Sequence, residues 1–415
     1  EPDPVELGVR RRVEGYQRGD GLSWANPAAF TGQPIEGLWA STWASGKLLY
    51  SLAERYQRSG DERLGEWARR IFLGLRRLAS WEGDKAYYPG GPAPWKDGVW
   101  LREGWAASHA CSYPAIIEPC VRYYQCCGDE EALDFARAFA DGFLACIQPG
   151  QGDHRIDPET GSFAAHVHLH THAVWGVAHL GALLGERRYL DYARRVYDFV
   201  LGHGTDFGWY PEFAPQSEWR TEICVVGDMV SLSAHLARGG QVELWDHIER
   251  TVRNELRRAQ FVLTPEFLAL FENLHPDRGR EEIEHAVAQL RRLEGGFVAQ
   301  PTFDDWVSYP ETLGQPGLSQ NGIHMMGCCP PTGMQGLWEA WSGAVEERED
   351  GICINLGLTR DHPAAQVTAF APENGRLRVV TRRVGHYLLR PPSWASRAGV
   401  RLQVDGEDVS VQWGG

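Results

Sequence analysis

The sequence predicts a mainly α-helical protein in which helical hairpins close into an (α/α)6 barrel, followed by a small β-sandwich. Two patterns lead to this prediction: a helical hairpin recurs along the chain, and short alternating segments replace it near the end. We expect the barrel domain to comprise residues 1–345, with its helices beginning at about residue 35, and the sandwich domain to comprise residues 346–415. The sandwich is expected to be incomplete or to be completed by residues outside this chain.

The recurring hairpin is marked by a glycine, an acidic residue directly after it, and an aromatic-Ala-Arg triplet further on. Three copies contain Gly60-Asp61, Gly128-Asp129 and Gly185-Glu186, with triplets that begin at Trp67, Phe135 and Tyr192. A fourth, weaker copy runs from Leu236 to Gly240 and on to His247. Glycine is typical of a helix end, an acidic side chain suits the start of the next helix, and alanine lets two helices cross closely. Because each pair buries one face, the pairs must close on one another.

The pattern changes after a helix predicted at residues 333–347. Short alternating or apolar runs then occur between Gly, Pro and Asp turns, at residues 352–356, 365–370, 376–380, 387–389 and 400–404. Such runs are typical of strands. They predict the appended β-sandwich.

Composition limits the classes of partner. The formal net charge is -14, and binding to nucleic acid depends on clustered Lys and Arg, so nucleic acid is an unlikely partner. No apolar run approaches the roughly 20 residues that cross a bilayer, and no leader pattern opens the chain. The sequence therefore predicts no membrane partner.

Cysteine content gives the expected compartment. Nine cysteines, an odd number, occur in a chain large enough not to need disulfides. This favours a reducing, cytoplasmic location, although a chain that begins at Glu1 rather than Met leaves a removed leader open. The 17 Trp residues suit both core packing and stacking on sugar rings, and core packing is the expected role for most of them.

Two short segments together supply a metal-ligand set. Glu222 and Cys224 belong to one, and the adjacent Cys328 and Cys329 belong to the other. One carboxylate and three thiols suit tetrahedral Zn²⁺, although the spacing differs from that of paired CxxC motifs. The alternative is that these cysteines pack as small apolar residues, which is the interpretation preferred for the remaining cysteines: Cys111, Cys120, Cys126, Cys127, Cys146 and Cys353.

The residues after the cysteine pair favour a chemical role for it. Pro330 and Pro331 are expected to end an extended segment, and Thr332 is a candidate N-cap for the following helix. The positive end of that helix would lower the pKa of the nearby thiols. A thiolate in a cleft is a nucleophile, and the residues alone do not name its reaction.

At these segments the chain resembles the β-L-arabinofuranosidase glycoside hydrolases, glycoside hydrolase family 127, which have an (α/α)6 barrel. The resemblance rests on the helical repeats, on Glu-x-Cys at 222–224, on the stretch from Trp245 to Asn254, on Gly-Cys-Cys-Pro-Pro at 327–331 and on the segment 389–395. It implies that Glu222, Cys224, Cys328 and Cys329 bind zinc and that Cys328 is the nucleophile of a retaining double displacement.

The resemblance also implies an acid/base carboxylate upstream of Glu222. Glu212 is the expected residue, because it is followed directly by Phe213, and Glu218 and Asp206 remain alternatives. The alternative interpretation of Glu212 is a carboxylate in a solvent-facing loop. The substrate implied is a β-L-arabinofuranoside or a related sugar in plant-type glycans, and the reaction type is expected to transfer better than the identity of the sugar.

Four alternating histidines precede the third hairpin, at positions 166, 168, 170 and 172. In an extended segment His166, His168 and His170 share one side, so they are expected to line the mouth of the ring. Sugar binding by His166 and His168 is the preferred role, with core or surface packing and a second metal site as the alternatives. His109, near the second hairpin, is a further candidate for substrate binding.

Three functions therefore remain open. The first is the zinc-dependent glycosidase, with a carbohydrate as its partner and with homodimer formation left open. The second is a carbohydrate lyase or epimerase that uses the histidine cluster on the same barrel. The third is a sugar-binding protein whose zinc is structural. The fold alone does not decide among them.

Overall fold

The structure is a computed structural model. It describes residues 42–88, 115–145, 156–215, 221–274, 278–299 and 327–414, together with short pieces at 7–8, 11–13, 21–22, 24–25, 39–40, 92–96, 99–102 and 276. Within these residues, no helix is long and apolar enough to cross a membrane.

Helical hairpins form most of the described chain, as the repeats predict. Their helices are α1 (Thr42–Ser59) and α2 (Glu62–Leu78), α3 (Ile117–Cys127) and α4 (Glu130–Leu144), α5 (Val167–Leu184) and α6 (Arg187–His203), and α7 (Ile223–Arg238) and α8 (Leu244–Thr251). A π-helical turn, Val252–Leu256, continues α8. Three further helices follow: α9 (Pro265–Leu274), α10 (Arg280–Leu293) and α11 (Cys329–Gly343).

The hairpins form two layers. The inner helices contact one another in the order α1, α3, α5, α7 and α11, and α2, α4, α6 and α8 each pack outside their own hairpin partner. The layers reflect the sequence, because α5 and α7 are apolar on almost every side, whereas α2 and α6 have one apolar stripe. This is the arrangement of an (α/α)6 barrel, and the predicted fold class is confirmed.

The glycines of the repeat end their helices as predicted. Gly60, Gly128 and Gly185 have φ values of 65°, 69° and 67°, a left-handed conformation that glycine adopts without steric cost. Asp61 and Asp129 then cap the next helices, since each side chain accepts a hydrogen bond from a backbone N–H of the first turn. The alanines of the three triplets are fully buried.

Two glycines allow α7 and α11 to cross closely. A Cβ atom at Gly227 would lie 2.3 Å from the carbonyl oxygen of Thr332, and one at Gly336 would lie 2.9 Å from the Cα of Gly227. Any larger side chain at either position would separate the two helices. The crossing therefore fixes how near the N-terminal ends of α7 and α11 lie to each other.

Short strands complete the structure. The early pairs are β1 (Trp24–Ala25) with β2 (Trp39–Ala40), β3 (Ser80–Glu82) with β4 (Lys85–Tyr87), β5 (Pro92–Lys96) with β6 (Val99–Arg102), and β7 (Ala165–His166) with β8 (Phe213–Ala214). After α11 come β9 (Val345–Arg348), β10 (Gly351–Ile354), β11 (Arg360–Asp361), β12 (Ala365–Ala369), β13 (Leu377–Thr381), β14 (Tyr387–Leu389), β15 (Leu402–Val404) and β16 (Glu407–Val409).

The C-terminal strands form two three-stranded sheets and a hairpin. One sheet has the order β14-β10-β9, the other has the order β11-β12-β13, and β15 pairs with β16. All five predicted strand runs are present. The helix predicted at 333–347 ends at Gly343 instead, because residues 345–348 pair with β10 as strand β9.

Polar contacts fasten these strands to the helices. Arg390, after β14, pairs with Asp246 of α8, which also accepts a 3.0 Å hydrogen bond from the backbone N–H of Ser393. Arg238 of α7 pairs with Glu346 of β9 at 2.8 Å. The sheets therefore lie against the C-terminal end of α7 and against α8.

Candidate metal centre and active site

Four predicted ligands meet where two helices begin. Glu222 is the N-cap of α7 and Cys224 lies in its first turn, while Cys328 is the N-cap of α11 and Cys329 is its first residue. The crossing at Gly227 brings these two helix starts together. One ligand atom from each of the four residues lies within 4.8 Å of the others.

The spacing and chemistry of this cluster fit zinc. The Sγ atoms of Cys328 and Cys329 are 3.8 Å apart, and Oε1 of Glu222 lies 3.6 and 3.5 Å from them. Tetrahedral zinc, with Zn–S near 2.3 Å and Zn–O near 2.0 Å, separates two sulfurs by about 3.8 Å and a sulfur from an oxygen by about 3.5 Å. The Sγ atoms of Cys224 and Cys329 are somewhat closer, at 3.2 Å. We conclude that the cluster can hold a metal ion and that its donors suit zinc.

The cluster makes Cys328 the most acidic of the three thiols. Hydrogen bonds from Cys224 and Cys329 lower the pKa of Cys328 well below its usual range, although burial acts in the opposite direction. Burial raises the pKa of Cys224, and the position of Cys328 at the N-terminus of α11 adds a favourable helix dipole. Cys328 is also the only half-buried member of a group whose other residues are buried.

His166 holds the carboxylate of Glu222. Its Nε2 lies 2.6 Å from Oε2 of Glu222, which leaves Oε1 facing the thiols. Burial acts to raise the pKa of Glu222, but the hydrogen bond and charge of His166, with the charge of His168, lower it to about 2. A metal-binding carboxylate oriented by a second polar group is common in metal sites.

A short strand pair places Glu212 beside this centre. His166 of β7 pairs with Phe213 of β8, and the backbone N–H of Val167 donates a 2.8 Å hydrogen bond to the carbonyl oxygen of Glu212. One carboxylate oxygen each of Glu212 and Glu222 and one ring nitrogen of His166 lie within 4.8 Å of one another. Glu212 is half-buried, so its carboxylate is positioned at the centre and not in a solvent-facing loop.

The other candidates are placed differently. Asp206 is exposed, in the turn after α6. Glu218 and His109 lie outside the described residues, as do Cys111 and Cys146. Cys120 and Cys353 are buried and Cys126 and Cys127 are half-buried, in agreement with the packing role predicted for them.

The extended conformation predicted for the histidine run is wrong. Helix α5 begins at Val167, so only His166 precedes the helix. His168 and His172 then share one face, whereas His170 stacks on Phe163 with ring centroids 4.1 Å apart. An alternating pattern predicts a strand, but here the tertiary environment of an inner helix outweighs it.

Asp228 of α7 was not predicted, and it organises the two inward histidines. Its Oδ2 lies 2.7 Å from Nδ1 of His168, and its Oδ1 lies 3.0 Å from Nδ1 of His172. The Nζ of Lys47 lies 2.8 Å from Nε2 of His172. His168, Asp228, His172 and Lys47 therefore form a hydrogen-bonded chain.

This hydrogen-bonded chain shifts the pKa values of its two histidines in opposite directions. Burial acts to lower the pKa of His168, but the charge and hydrogen bond of Asp228 outweigh it and raise that pKa to about 9. Burial and the charge of Lys47 lower the pKa of His172 to about 4. The sequence signal for Asp228 was one acidic residue in the apolar stretch 223–234.

The predicted N-cap of the last helix is also wrong. Helix α11 begins at Cys329, with Pro330 and Pro331 inside its first turn, where the fixed φ of proline suits a helix. The hydroxyl of Thr332 donates to the carbonyl oxygen of Cys328 at 2.9 Å. This earlier start places Cys328 itself at the helix N-terminus.

A second buried group lies deeper between the inner helices. Nδ1 of His179 is 2.8 Å from Oε2 of Glu118, and His179 stacks on His235 with the ring planes 12° apart. A metal ion binds in the plane of an imidazole ring, so two nearly parallel stacked rings do not share one ion. This group is therefore a structural contact between α3, α5 and α7.

Comparisons with known proteins agree with this architecture. Residues 44–206 match the family model described as "Beta-L-arabinofuranosidase, GH127 catalytic domain". The match includes His166 and ends before Glu212 and the four metal-ligand candidates. No curated protein sequence matches the chain.

Two solved structures share the fold. A GH127 β-L-arabinofuranosidase from Geobacillus stearothermophilus T6 is 13% identical, with a TM-score of 0.61 over 98% of this chain and 65% of its own. A second GH127 β-arabinofuranosidase is 15% identical, with a TM-score of 0.61 over 99% of this chain and 63% of its own. The chain thus spans less than two thirds of the length of either protein. Over residues 44–206 the chain is therefore similar to the GH127 catalytic domain, and the described structure shares the fold of these two GH127 proteins.

Proposed function

We propose that this protein is a retaining glycoside hydrolase that releases β-L-arabinofuranose, or a related sugar, from plant-type glycans. The observation that carries the proposal is that Cys328 and Glu212 both lie next to Glu222. The thiol proposed as nucleophile and the carboxyl group proposed to transfer the proton therefore both lie near one carboxylate. Two such groups are what a double displacement at an anomeric carbon requires.

The first step forms a thioglycosyl intermediate. The sulfur of Cys328, as the thiolate, attacks the anomeric carbon while the bond to the leaving oxygen breaks. The carboxylic acid of Glu212 gives its proton to that oxygen, so the aglycone departs as an alcohol. Glu212 is left as the carboxylate.

The second step returns the protein to its starting state. Glu212 takes a proton from a water molecule, whose oxygen attacks the anomeric carbon. The carbon–sulfur bond breaks and Cys328 is again a thiolate. Two inversions at one carbon give net retention, so the first sugar formed has the β configuration.

Glu222, Cys224, Cys328 and Cys329 are the residues that would hold zinc. When bound, zinc keeps the thiols deprotonated and fixes the position of the Cys328 sulfur. His166 fixes the Glu222 carboxylate through a 2.6 Å contact, and His166 and His168, with His109, are the groups proposed to bind sugar hydroxyls. The two family relatives supply the proposed sugar, since their titles describe β-L-arabinofuranosidase and β-arabinofuranosidase activity.

The test is hydrolysis of p-nitrophenyl β-L-arabinofuranoside by the wild-type protein, with the α-L-furanoside and β-D-xylopyranoside as matched controls. We expect release of p-nitrophenol from the β-L-furanoside and proton NMR signals of β-L-arabinose before mutarotation. An inverted first product, or no hydrolysis of any furanoside, would contradict the proposal. An unsaturated or epimerised sugar would favour the lyase or epimerase hypothesis instead.

A further inference from the structure

Asp228 uses both carboxylate oxygens to hold two histidines of α5. Oδ2 accepts hydrogen bonds from Nδ1 of His168 at 2.7 Å and from the hydroxyl of Thr171 at 2.9 Å. Oδ1 accepts a hydrogen bond from Nδ1 of His172 at 3.0 Å. The carboxylate is almost fully buried, with 1% of its residue surface exposed. Since both oxygens are engaged by neighbouring turns of one helix, the carboxylate group cannot rotate without losing a contact.

These contacts require a proton on Nδ1 of both rings. A carboxylate accepts hydrogen bonds, so each Nδ1 must carry a proton. On His172, Nε2 then faces Nζ of Lys47 at 2.8 Å, and Trp43 packs over the ring at a centroid distance of 4.7 Å. His172, held in this way, fixes the position of Oδ1 of Asp228. Nε2 of His168 has no such contact among the described residues.

Nε2 of His168 lies at the other end of this hydrogen-bonded group from Lys47. It is buried and has no hydrogen-bond partner among the described residues, although the residue is only 2% exposed. The ring lies 5.8 Å from that of His166, which contacts Glu222. A buried polar atom without a partner is costly, and such atoms commonly mark a place where a ligand or water binds.

We propose that Asp228 is a positioning residue that holds His168 so that Nε2 hydrogen-bonds a hydroxyl group of the sugar beside Cys328. Asp228 does not touch the sugar itself; it acts through His168. The inference rests on the proposed function, because it assigns the bound group to the glycone of the same site. His172, which contacts Lys47, holds the other carboxylate oxygen of Asp228.

A double-mutant cycle tests this inference on the zinc-loaded protein. Asp228→Asn keeps the volume but replaces one acceptor oxygen with an NH₂ group, which cannot accept from Nδ1–H. We expect kcat/KM for the furanoside to fall about tenfold to a hundredfold, with a raised KM. His168→Ala should cost a similar factor, and the double variant should be no worse than His168→Ala, because Asp228 acts only through that ring.

Glu118→Gln is the matched control, since Glu118 is another buried carboxylate that binds a histidine of α5. It should lower thermal stability and leave kcat/KM unchanged. Asp228→Asn with unchanged kcat/KM, or losses that add fully in the double variant, would overturn the inference and leave the proposed hydrolase function intact.

A spectroscopic readout separates the two proposals. In ¹⁵N-histidine NMR, the wild-type His168 resonance, assigned by its loss in His168→Ala, should show a proton on Nδ1. If the wild type hydrolyses no furanoside, the proposed function fails, and this spectrum alone decides the positioning role. A wild-type His168 without a proton on Nδ1 would overturn that role, even if Asp228→Asn failed to fold.

Discussion

Replacing Cys328 by alanine is expected to lower kcat/KM for an aryl β-L-arabinofuranoside by about 10⁴-fold or more, because the atom that attacks the anomeric carbon is removed. The half-buried position of Cys328, at the start of α11 and 3.6 Å from Glu222, makes it the accessible thiol of the cluster. The check is steady-state kinetics, together with intact-protein mass spectrometry of the wild type mixed with substrate. The wild type should gain the mass of one glycosyl unit, and Cys328→Ala should not.

Cys126→Ala is the matched control for this prediction. Cys126 is also half-buried, but it lies at the C-terminal end of α3, near Gln57 and away from the metal-ligand cluster. Its loss should leave kcat/KM within about twofold of the wild type, because the substitution lies away from the site. Substantial turnover by Cys328→Ala would show that another group is the nucleophile.

Replacing Glu212 by glutamine is expected to lower kcat about 10²- to 10⁴-fold on substrates with poor leaving groups. The loss should shrink on a p-nitrophenyl glycoside, because a good leaving group needs no proton in the first step. Added azide should restore turnover by attacking the thioglycosyl intermediate without a general base. Kinetics across a series of leaving groups, with and without azide, would measure both effects.

The competing carboxylates provide the comparison. Asp206 is exposed, so Asp206→Asn should change kcat little. Glu218→Gln tests the remaining alternative from the sequence. If Glu218→Gln produced the leaving-group dependence and azide rescue while Glu212→Gln did not, the acid/base role would belong to Glu218 despite the closeness of Glu212 to Glu222.

The sequence predicted those features of the fold that depend on local chemistry. Gly60, Gly128 and Gly185 end helices because only a residue without a Cβ adopts their φ values at no cost, and this signal is visible in one sequence. The ligand set was suggested by its donor types, one carboxylate and three thiols, and was assigned as a zinc site by the resemblance to the GH127 family. The meeting of the four ligands at two helix starts could not be predicted from the sequence, because it depends on the crossing of α7 and α11.

The features that were missed depend on tertiary contacts. The histidine run alternates like a strand, yet His168 and His172 lie on one face of a buried helix because Asp228, on another helix, satisfies both. Asp228 had no neighbour in the sequence that revealed it. A buried charge persists only when it is paired, so an isolated acidic residue in an apolar inner helix is itself a signal of such a partner.

The polar groups of the inner helices differ in whether their polar atoms have hydrogen-bond partners. Glu118 with His179 joins neighbouring helices through a satisfied pair, and Asp228 with His172 and Lys47 does the same. His168 differs from His172, because its Nε2 lacks a partner among the described residues. Cys328 likewise differs from Cys224 and Cys329, because it is half-buried and they are buried.

Zinc K-edge X-ray absorption of the purified protein tests the central claim most directly. Four ligands from Glu222, Cys224, Cys328 and Cys329 predict three sulfur neighbours at about 2.3 Å and one oxygen neighbour at about 2.0 Å, with about one zinc per chain. Cys329→Ala should lose that sulfur-rich shell. A folded wild-type protein that binds no zinc, or binds it through nitrogen and oxygen alone, would contradict the account.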